Sequence, residues 1–336
     1  MTGTARAALV TGASGFVGSH LVDLLTARGD RVRALVRPTS SRSFLGHPAL
    51  DIVTGDVADE SPAAERDLEI ACAGCDVVYH VAGLLRAQTQ DEYDRVNARG
   101  AARLAGAAAR AGVARFLLVS SQAASGPPPT DRPREEFDPD RPVTAYGRSK
   151  LGGEKLTLEV ARESGLHVSI VRPPAVYGPR DRAFLTVFRL VSKGILPLYA
   201  GAARQEVSVI HARDLVLGLA LAAERAPAGA VYFLTDGAQH TAADLGAAVA
   251  RALGRRPLRF ELPAAVGWAA AWTSEMAGRV TGRPVTLTRE RLRQWTSPRW
   301  TISDARARRE IGYESTVDLA AGMAETAAWY RKAGWI

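Results

Sequence analysis

Short apolar runs alternate with amphipathic stretches through the first half of the chain. Runs rich in Val, Leu and Ile predict buried strands, and apolar residues that recur every three or four positions predict helices between them. The pattern predicts helices over 16–28, 92–111 and 145–162, with a further one ending near residue 72. The predicted strands are residues 7–10, 31–36, 51–54, 77–81, 116–119 and 167–171. Alternation of this kind is typical of a parallel sheet covered by helices on both faces.

The rhythm of the chain changes after residue 172. Helical patterns at 184–193 and 242–253 are separated by apolar runs at 207–210 and 231–234, which we interpret as strands. We therefore predict an α/β fold in which a doubly wound parallel sheet is formed by residues 1–172, with returns to it near 205–234. Residues 173–336 would form mainly a smaller C-terminal lobe that binds the substrate.

Composition and charge narrow the class of protein. The 336 residues are 47% hydrophobic, which is ample for a large buried core. The formal charge of +8 suggests nucleic-acid binding, but only four of the 43 basic residues are lysine and the arginines are spread thinly, so we favour a scattered basic surface. We find neither a basic leader with an apolar core nor a stretch apolar enough to span a membrane, and we expect a cytoplasmic protein.

The two cysteines, Cys72 and Cys75, form a Cys-x-x-Cys pair. Such a pair can act in redox chemistry, or bind a metal when further ligands accompany it. The flanking Ala and Gly residues and the following strand instead indicate the end of a helix, and the chain has no second cysteine pair. We predict no metal site.

A glycine-rich turn follows the first predicted strand. Gly12, Gly15 and Gly18 lie at three-residue spacing between that strand and a helix. At such a turn, backbone N–H groups and the helix N-terminus can bind a pyrophosphate; Gly12 permits the tight turn, and Gly18 lets the helix pack against its strand. Three glycines also occur in plain strand–helix turns, so this interpretation needs support from the rest of the chain.

Candidate catalytic groups lie at two further positions. Tyr146 and Lys150 are four residues apart on a predicted helix, so their side chains share a face, where an ammonium group can lower the pKa of a phenol. Ser120 and Ser121 end the predicted strand at 116–119, at the sheet edge where such folds bind ligands. Each pattern also has an ordinary explanation: an exposed tyrosine beside a solvated lysine, and the start of a loop.

Together these features resemble the extended short-chain dehydrogenases/reductases, a family with a Rossmann-type fold. The resemblance covers nearly the whole chain. The motifs that carry it are, in chain order, Thr11, Gly12, Gly15 and Gly18; Gly55, Asp56 and Val57; His80, Val81, Ala82 and Gly83; Asn97; Ser120 and Ser121; Tyr146 and Lys150; Arg172 and Pro173; Val176, Tyr177, Gly178 and Pro179; Ile210, His211, Ala212, Arg213, Asp214 and Leu215; and Ile311, Gly312 and Tyr313.

The resemblance implies a Ser/Tyr/Lys site beside a nicotinamide. Tyr146 would donate a proton to a substrate carbonyl, or remove it when the reaction runs as an oxidation. Ser121, identified by counting back from Gly126, would polarise the same oxygen, and Lys150 would lower the pKa of Tyr146 and bind the nicotinamide ribose. Asn97 matches the family's asparagine on the preceding helix, although a structural asparagine inside a helix would look the same.

The residue after the second strand bears on the choice between NAD and NADP. A carboxylate there would bind the ribose 2′-hydroxyl and repel a 2′-phosphate. Arg37 occupies this position, no acid stands between it and Arg42, and guanidinium groups suit a phosphate, so NADP(H) is the expected cofactor. The alternative is NAD(H), with Arg37 stacked on the adenine. Further cofactor contacts implied by the resemblance are Ser14, Phe16, Val17, Asp56, Val57, Val81, Ala82, Gly83, Pro173 and Val176.

One departure from the family pattern bears on the substrate. Members that act on sugar nucleotides commonly carry an arginine four residues before His211, where it can bind a diphosphate; here that residue is Val207. We therefore expect the chain to interconvert a ketone or aldehyde with its alcohol on an apolar small molecule, as in the dihydroflavonol reductase and 3β-hydroxysteroid dehydrogenase branch. The alternatives are a nucleotide-sugar epimerase or dehydratase with tightly bound NAD, and a nucleotide-sensing protein without catalysis.

Three expectations concern surfaces and loops. The apolar run at 266–273 favours an ordinary buried helix over a pocket wall or a membrane contact. The proline-rich stretch at 127–142 predicts a loop, either a lid over the site or a solvated loop. The resemblance also implies a homodimer that forms through the helices predicted at 92–111 and 145–162.

Overall fold

The computed structural model describes residues 5–199, 204–282, 284–285 and 287–336. Its strands are β1 (Ala7–Thr11), β2 (Arg31–Val36), β3 (Asp51–Thr54), β4 (Val77–His80), β5 (Arg115–Val119), β6 (His167–Arg172), β7 (Ala175–Tyr177), β8 (Ile195–Tyr199), β9 (Glu206–Val207), β10 (Val209–His211), β11 (Val231–Phe233), β12 (His240–Thr241), β13 (Leu258–Leu262) and β14 (Arg299–Trp300).

The α-helices of the same residues are α1 (Phe16–Ala27), α2 (Pro62–Cys72), α3 (Gln90–Asp94), α4 (Gly100–Arg110), α5 (Gln122–Ser125), α6 (Ala145–Ser164), α7 (Leu185–Ser192), α8 (Ala212–Arg225), α9 (Ala242–Leu253), α10 (Ala264–Thr281), α11 (Arg289–Thr296), α12 (Ala305–Ile311) and α13 (Leu319–Lys332). One π-helical turn, Arg95–Arg99, connects α3 to α4. The sequence pattern identified most of the elements before residue 172, and it missed several short strands and helices after it.

Seven parallel strands form the main sheet, in the order β11-β6-β5-β4-β1-β2-β3. The chain runs outward from β1 to β3, crosses back to β4, and continues outward on the other side. The strand order therefore reverses between β1 and β4, and doubly wound sheets bind ligands at the carboxyl ends of the strands beside such a reversal. The Rossmann-type fold predicted from the sequence is confirmed.

Apolar side chains cover both faces of the main sheet. On one face, α1 and α8 pack over a core that includes Val10, Leu21 and Leu219. On the other face, α2 and α4 pack over a second core that includes Leu9 and Leu104. Because successive strand residues point to opposite faces, neighbouring residues of β1 enter different cores. Burial on both faces explains why these strands are continuous apolar runs.

A third core lies in the C-terminal part of the chain, where α7, α9 and α13 pack together around Phe188, Val249, Met323 and Tyr330. Not everything after residue 172 belongs to this lobe. Helix α8 packs on β5 and β6, and β11 forms an edge of the main sheet. The division at residues 172 and 173 stays a prediction.

The helix predicted at 92–111 is interrupted. Helix α3 ends at Asp94, and the π turn precedes the start of α4 at Gly100. The turn lies directly against α6, because a Cβ at Gly153 would overlap the carbonyl oxygen of Asn97. Turns of this kind are frequent at functional sites, and hydrophobic periodicity does not reveal them.

The single strand predicted at 207–210 is two strands in different sheets. Val207 pairs with β12 and β14, whereas Val209 pairs with β7. Ser208 lies between them, and its hydroxyl accepts a hydrogen bond from the backbone N–H of Ile302 at 3.1 Å. The apolar run looks continuous in the sequence, but its two halves pair with different strands, and these strands are distant in sequence.

Candidate active site

The glycine-rich turn packs closely against its neighbours because it lacks side chains. Gly12 has a φ of +65°, and a Cβ there would lie 2.7 Å from the backbone nitrogen of Ala82. A Cβ at Gly18 would overlap the carbonyl oxygen of Gly12, so α1 approaches the turn closely. Gly15 is the N-cap of α1, and no side chain accepts a hydrogen bond from the first N–H groups of that helix. These donors and the helix dipole suit a pyrophosphate.

The ends of β1 and β4 are joined beneath this turn. The Thr11 hydroxyl accepts a hydrogen bond from Ala82 N–H at 3.2 Å and lies 2.7 Å from Nδ1 of His80. Burial, with a smaller effect of the nearby Lys150 charge, lowers the pKa of His80 to about 3. His80 is therefore neutral at physiological pH, and its Nδ1 can accept a hydrogen bond from the Thr11 hydroxyl. The pair fixes the backbone at Ala82 against Gly12.

Ser121 and Tyr146 meet at the carboxyl end of β5. Ser121 is the N-cap of α5, where its hydroxyl accepts a hydrogen bond from Ala123 N–H at 3.1 Å. Tyr146 lies in the first turn of α6, which begins after the N-cap Thr144. Burial raises the pKa of Tyr146 to about 12, although a hydrogen bond with Ser121 acts in the opposite direction. The Ser121 hydroxyl is therefore close enough to affect the pKa of the phenol, which keeps its proton at neutral pH.

Lys150 lies below this pair in a buried position. Its Nζ donates a hydrogen bond to the carbonyl oxygen of Val119 at 2.7 Å. The same ammonium would be 3.7 Å from a Cβ at Gly83, so it also reaches the loop after β4. Burial lowers the pKa of Lys150 to about 8, against the opposing effect of Glu154.

The expected lowering of the Tyr146 pKa by Lys150 is not seen. The two charges that act on the phenol come from Tyr93, which raises its pKa, and Arg291, which lowers it. Burial outweighs the favourable contributions, so the pKa of Tyr146 lies above the usual value for a phenol.

A buried ionic network supports the catalytic helix, and the sequence analysis missed it. Arg172 at the end of β6 donates to Glu154 at 2.9 Å through Nε and to Asp140 at 2.7 Å through Nη1. Ser120 donates to Glu154 as well. Ser120 therefore has a structural partner, while Ser121 faces Tyr146. One signal was available, since Glu154 continues the four-residue spacing of Tyr146 and Lys150 on one helix face.

Asn97 is buried in the π turn and all of its amide is engaged. Its Oδ1 accepts from Leu84 N–H at 2.7 Å, and its Nδ2 donates to the Leu84 carbonyl at 2.9 Å and to the Ser149 hydroxyl at 3.0 Å. It thereby attaches the loop after β4 to α6. These contacts make Asn97 a positioning residue, and its assignment as catalytic stays a prediction.

Arg37 follows β2 directly and is exposed. Among the residues that the structure describes, its guanidinium makes no hydrogen bond or ion pair. Phe44, further along the same loop, packs edge-on against Trp329 at 6.2 Å and under Arg180 at 5.2 Å. The loop that begins at Arg37 is therefore attached to the C-terminal lobe.

The other predicted cofactor contacts line the carboxyl edge of the sheet. Asp56 and Val57 follow β3, where the Asp56 carboxylate accepts from Ala58 N–H at 2.9 Å. The half-buried Val81 and Ala82 follow β4. Pro173 follows β6, and Val176 lies in β7. Ser14, Phe16 and Val17 lie in the glycine-rich turn and at the start of α1. The structure brings these residues to one edge, and their contacts with a cofactor stay predictions.

The rim of the site, which we define as Leu85, Tyr93 and Arg291, was not identified from the sequence. The rings of Tyr93 and Tyr146 lie 6.1 Å apart, and Arg291 donates to the Leu85 carbonyl at 2.7 Å. Glu290 accepts from the backbone N–H of Ala145 at 2.9 Å, which fixes α11 at the start of α6. The C-terminal lobe therefore supplies part of the wall beside Tyr146.

The loop at 127–142 is held together by Arg134 and is bonded to the chain beyond β14. Arg134 is buried and donates to the carbonyls of Pro127 at 2.7 Å and of Pro139. Its backbone N–H donates to the Thr301 carbonyl, and its carbonyl accepts from Ser303 N–H. These hydrogen bonds join the loop to the chain beyond β14. Arg134 is therefore a structural residue, whereas the rest of the loop is exposed or half-buried, and a role as a lid stays a prediction.

The two cysteines lie at the end of α2, away from this edge of the sheet. Both are free and buried, and burial raises the pKa of Cys72 to about 12 and that of Cys75 above its usual value. Thiolates are thus disfavoured at this place. In the described part of the chain, no group of three His, Cys, Asp or Glu residues could hold a metal ion.

Comparison with known proteins adds a family to this geometry. The model of the NAD dependent epimerase/dehydratase family matches residues 8–234. A ceramide reductase of Caulobacter vibrioides is 34% identical over 335 residues, covering 97% of this chain and 95% of its own length. A 4-hydroxy-2-methyl-3-oxo-4-farnesyl-3,4-dihydroquinoline-1-oxide ketoreductase of Stigmatella aurantiaca is 31% identical, covering 94% of this chain and 93% of its own.

A solved structure agrees with the fold. The dTDP-glucose 4,6-dehydratase DesIV from Streptomyces venezuelae, determined with NAD bound, superposes with a TM-score of 0.79. It is 26% identical in sequence, and the alignment covers 98% of each chain. The similarity therefore extends over both the main sheet and the C-terminal lobe.

Proposed function

Because the chain belongs to the NAD-dependent epimerase/dehydratase family, within the extended short-chain dehydrogenases/reductases, and is an NAD(P)-dependent enzyme, we propose that it is an NADP(H)-dependent carbonyl reductase. The substrate would be a ketone or aldehyde on an apolar small molecule, interconverted with its alcohol. Nucleic acid is not a partner in this proposal. A cytoplasmic location would give the enzyme access to its cofactor and keep the free thiols of Cys72 and Cys75 reduced.

The observation that carries the proposal is the meeting of Ser121 and Tyr146, with Lys150 buried beneath them. A phenol with a pKa of about 12 is protonated at neutral pH, so Tyr146 can donate a proton to an oxygen that becomes negative. The Ser121 hydroxyl lies at the same point and would donate a hydrogen bond to that oxygen. The charge of Lys150 is not among those that act on the phenol in this structure, so its expected stabilisation of the phenolate stays a prediction.

The residues at the turn fit a dinucleotide, since Gly12 and Gly18 allow the close packing of the turn against β4 and α1, and the N-cap Gly15 gives the first N–H groups of α1 no side-chain cap. When bound, the nicotinamide supplies the hydride for reduction or accepts it in oxidation. Gly15 and the start of α1 would hold the pyrophosphate, and Lys150 would bind the nicotinamide ribose. Arg37 would bind the 2′-phosphate of NADP(H), because its exposed guanidinium has no competing partner in the described chain.

The preference for an apolar substrate rests on the C-terminal lobe. Val207, at the position of the expected diphosphate-binding arginine, is half-buried between β12 and β14. The arginine beside it, Arg299, is already paired with Glu206 at 2.8 Å and with Asp131 at 2.6 Å. The names of the two relatives, a ceramide reductase and a ketoreductase of a farnesylated compound, denote reductases of molecules with long hydrocarbon groups.

The second candidate function is a nucleotide-sugar epimerase or dehydratase with tightly bound NAD. The overall similarity to a dTDP-glucose 4,6-dehydratase favours it. A third candidate, a nucleotide-sensing protein without catalysis, requires that the Ser121, Tyr146 and Lys150 set serve no reaction.

Nucleotide titration distinguishes these candidates. The purified protein is titrated with NADPH and NADH by fluorescence, after the nucleotide that it releases on denaturation has been identified. We expect a protein free of nucleotide that binds NADPH at least about tenfold more tightly than NADH. Arg37→Ala should remove that preference by weakening NADPH alone, while the exposed Arg66→Ala on α2 should change neither affinity. Retained NAD, or a preference that survives Arg37→Ala, would contradict the proposal.

A further inference from the structure

Helix α10 is barely buried, which contradicts the ordinary buried helix that its apolar sequence favoured. Of its 18 residues, only Gly267, Ala271 and Gly278 are buried. All three are small and lie on one side of the helix at spacings of four and seven residues, so α10 rests on its neighbours by a narrow stripe. Most of the helix faces outward.

The outward side of α10 is apolar and uncharged. Val266, Trp272 and Val280 are exposed to 50%, 53% and 88%. At 100° per residue these side chains fall within one broad arc, opposite the buried stripe. The charged residues Glu275 and Arg279 lie at its border, and Glu275 is occupied by Arg289 at 2.8 Å. An apolar helix face that is exposed to solvent in this way indicates a surface that contacts another molecule or a membrane.

The strand that precedes α10 in the chain, β13, also exposes apolar side chains. In β13, Leu258 and Phe260 are exposed to 69% and 40%. They alternate with Arg259 on a two-stranded sheet formed with β8, which covers the strand only along one edge. We define the apolar face as Leu258, Phe260, Val266, Trp272 and Val280.

Exposed arginines lie near the residues of the apolar face in the chain. Arg255, Arg256 and Arg259 lie just before or within β13, and Arg279 lies in the last turn of α10; all four are exposed. Among the described residues none of them has an ion-pair partner, in contrast to Arg289 and Arg299 nearby. The combination of exposed aliphatic and indole side chains with free guanidinium groups is what an anionic lipid surface attracts.

We propose that the apolar face docks on the surface of a bilayer that contains anionic lipid, with α10 lying in the plane of the interface. Insertion of the side chains of the apolar face would bury them among acyl chains, and the exposed arginines would contact lipid phosphates. The helix lies on the membrane rather than across it, since none of the helices in the described ranges is long and apolar enough to span one.

The buried stripe of α10, opposite the apolar face, is attached to the loop that carries the rim residue Leu85. Gln88 donates to the carbonyl of Gly278 in α10 at 3.0 Å, and Leu85, exposed to 61%, belongs to the rim beside Tyr146. Docking would hold this loop near the bilayer, from which we expect an apolar substrate to enter. This last step rests on the proposed reductase function, whereas the docking itself does not.

Vesicle sedimentation tests the docking. The full chain is mixed with vesicles of phosphatidylcholine alone or of phosphatidylcholine mixed with phosphatidylglycerol. We expect binding to the anionic vesicles that falls as salt is added. Val266→Asp combined with Val280→Asp should weaken it at least about tenfold, and so should the triple change of Arg255, Arg256 and Arg259 to Gln. The matched control Ile70→Asp, an aliphatic residue exposed to 69% on α2, should bind like the unchanged chain.

Three outcomes would overturn the docking proposal. The first is no binding to anionic vesicles, and the second is equal binding by Val266→Asp/Val280→Asp. The third is a sedimentation mass that falls to one chain in that variant without lipid, because a second protein copy would then cover the face. Brominated lipid should also quench Trp272, and Trp272→Phe should remove that quenching. NADPH titration of each variant shows separately whether fold and nucleotide site are intact, so failure of docking is distinguishable from failure of the reductase proposal.

Discussion

Burial shifts the pKa values of Tyr146 and Lys150 in opposite directions. Removal from water disfavours the charged form of each group, which raises the pKa of the tyrosine to about 12 and lowers that of the lysine to about 8. The phenol therefore keeps a proton to donate, and the ammonium remains mostly charged near neutral pH. The same burial thus favours the neutral form of both residues, although they lie four positions apart and differ in chemistry.

Replacement of Tyr146 by Phe removes the proposed proton donor and keeps the ring. We expect carbonyl reduction to slow by more than about a hundredfold, equivalent to about 3 kcal/mol of transition-state stabilisation. Nucleotide affinity, measured by fluorescence titration, should change little. Tyr232→Phe is the control, because its hydroxyl bonds to Glu310 away from the site at 2.9 Å. Near-full activity in Tyr146→Phe would refute the assignment.

The lowered pKa of Lys150 predicts how stability depends on pH. The folded value of about 8 lies below the usual 10.5, so between these values the unfolded chain binds more protons and stability rises with pH. Below pH 8 both states carry the charge, and the cost of burying it is complete. Relative to Lys150→Met, the unchanged chain should gain about 2 kcal/mol between pH 7 and pH 9.5 in chemical denaturation. A stability difference between the two chains that stays constant, or that changes with the opposite sign from pH 7 to pH 9.5, would contradict this prediction.

At the scale of elements, the site is made by ends of strands and starts of helices that are held at short distance. The close approach of α1 to the turn after β1 depends on Gly18, and the approach of α6 to the π turn depends on Gly153. The Arg172, Glu154 and Asp140 network connects β6, α6 and the proline-rich loop in the same region. Such contacts tolerate little change in volume.

Substitution of Gly18 by Ala tests the packing of the turn. The new Cβ would overlap the Gly12 carbonyl oxygen, so α1 must move. We expect a loss of at least about 2 kcal/mol in the free energy of unfolding, with much weaker nucleotide binding. Gly106→Ala on α4 is the matched control, since only the flexible end of Arg110 lies near its Cβ, at 3.4 Å, and helix propensity favours Ala by up to about 1 kcal/mol. Equal behaviour of both variants would show that the turn is not tightly packed.

At the scale of the whole molecule, two surfaces are proposed to contact other molecules. The apolar face of β13 and α10 is proposed to contact lipid. A groove between α3, the π turn and α6, lined by Ala98, Arg148, Gly152 and Leu156, lies on the helices through which the family resemblance implies a homodimer. The two surfaces belong to different parts of the fold, so both could be used at once.

The homodimer is tested by mass. The chain of 35.8 kDa should sediment as a pair, and Leu156→Arg should shift it toward a single chain because a bulky charge enters the groove. Ile70→Arg, outside the groove, should leave the mass unchanged. A mass of one chain for the unchanged protein would refute the dimer.

The sequence by itself determined what depends on neighbours along the chain. Apolar runs identified the strands up to β6, glycine spacing identified the tight turn between β1 and α1, and four-residue spacing placed Tyr146 and Lys150 on one helix. Only the tertiary structure decided what depends on residues far apart in sequence: the Glu154 and Arg172 network, the π turn against Gly153, and the approach of Arg291 to Leu85. The exposure of α10 belongs to the same class. Periodicity records which residues prefer burial, whereas the partners that bury them, or leave them exposed, are set by the packing of the complete chain.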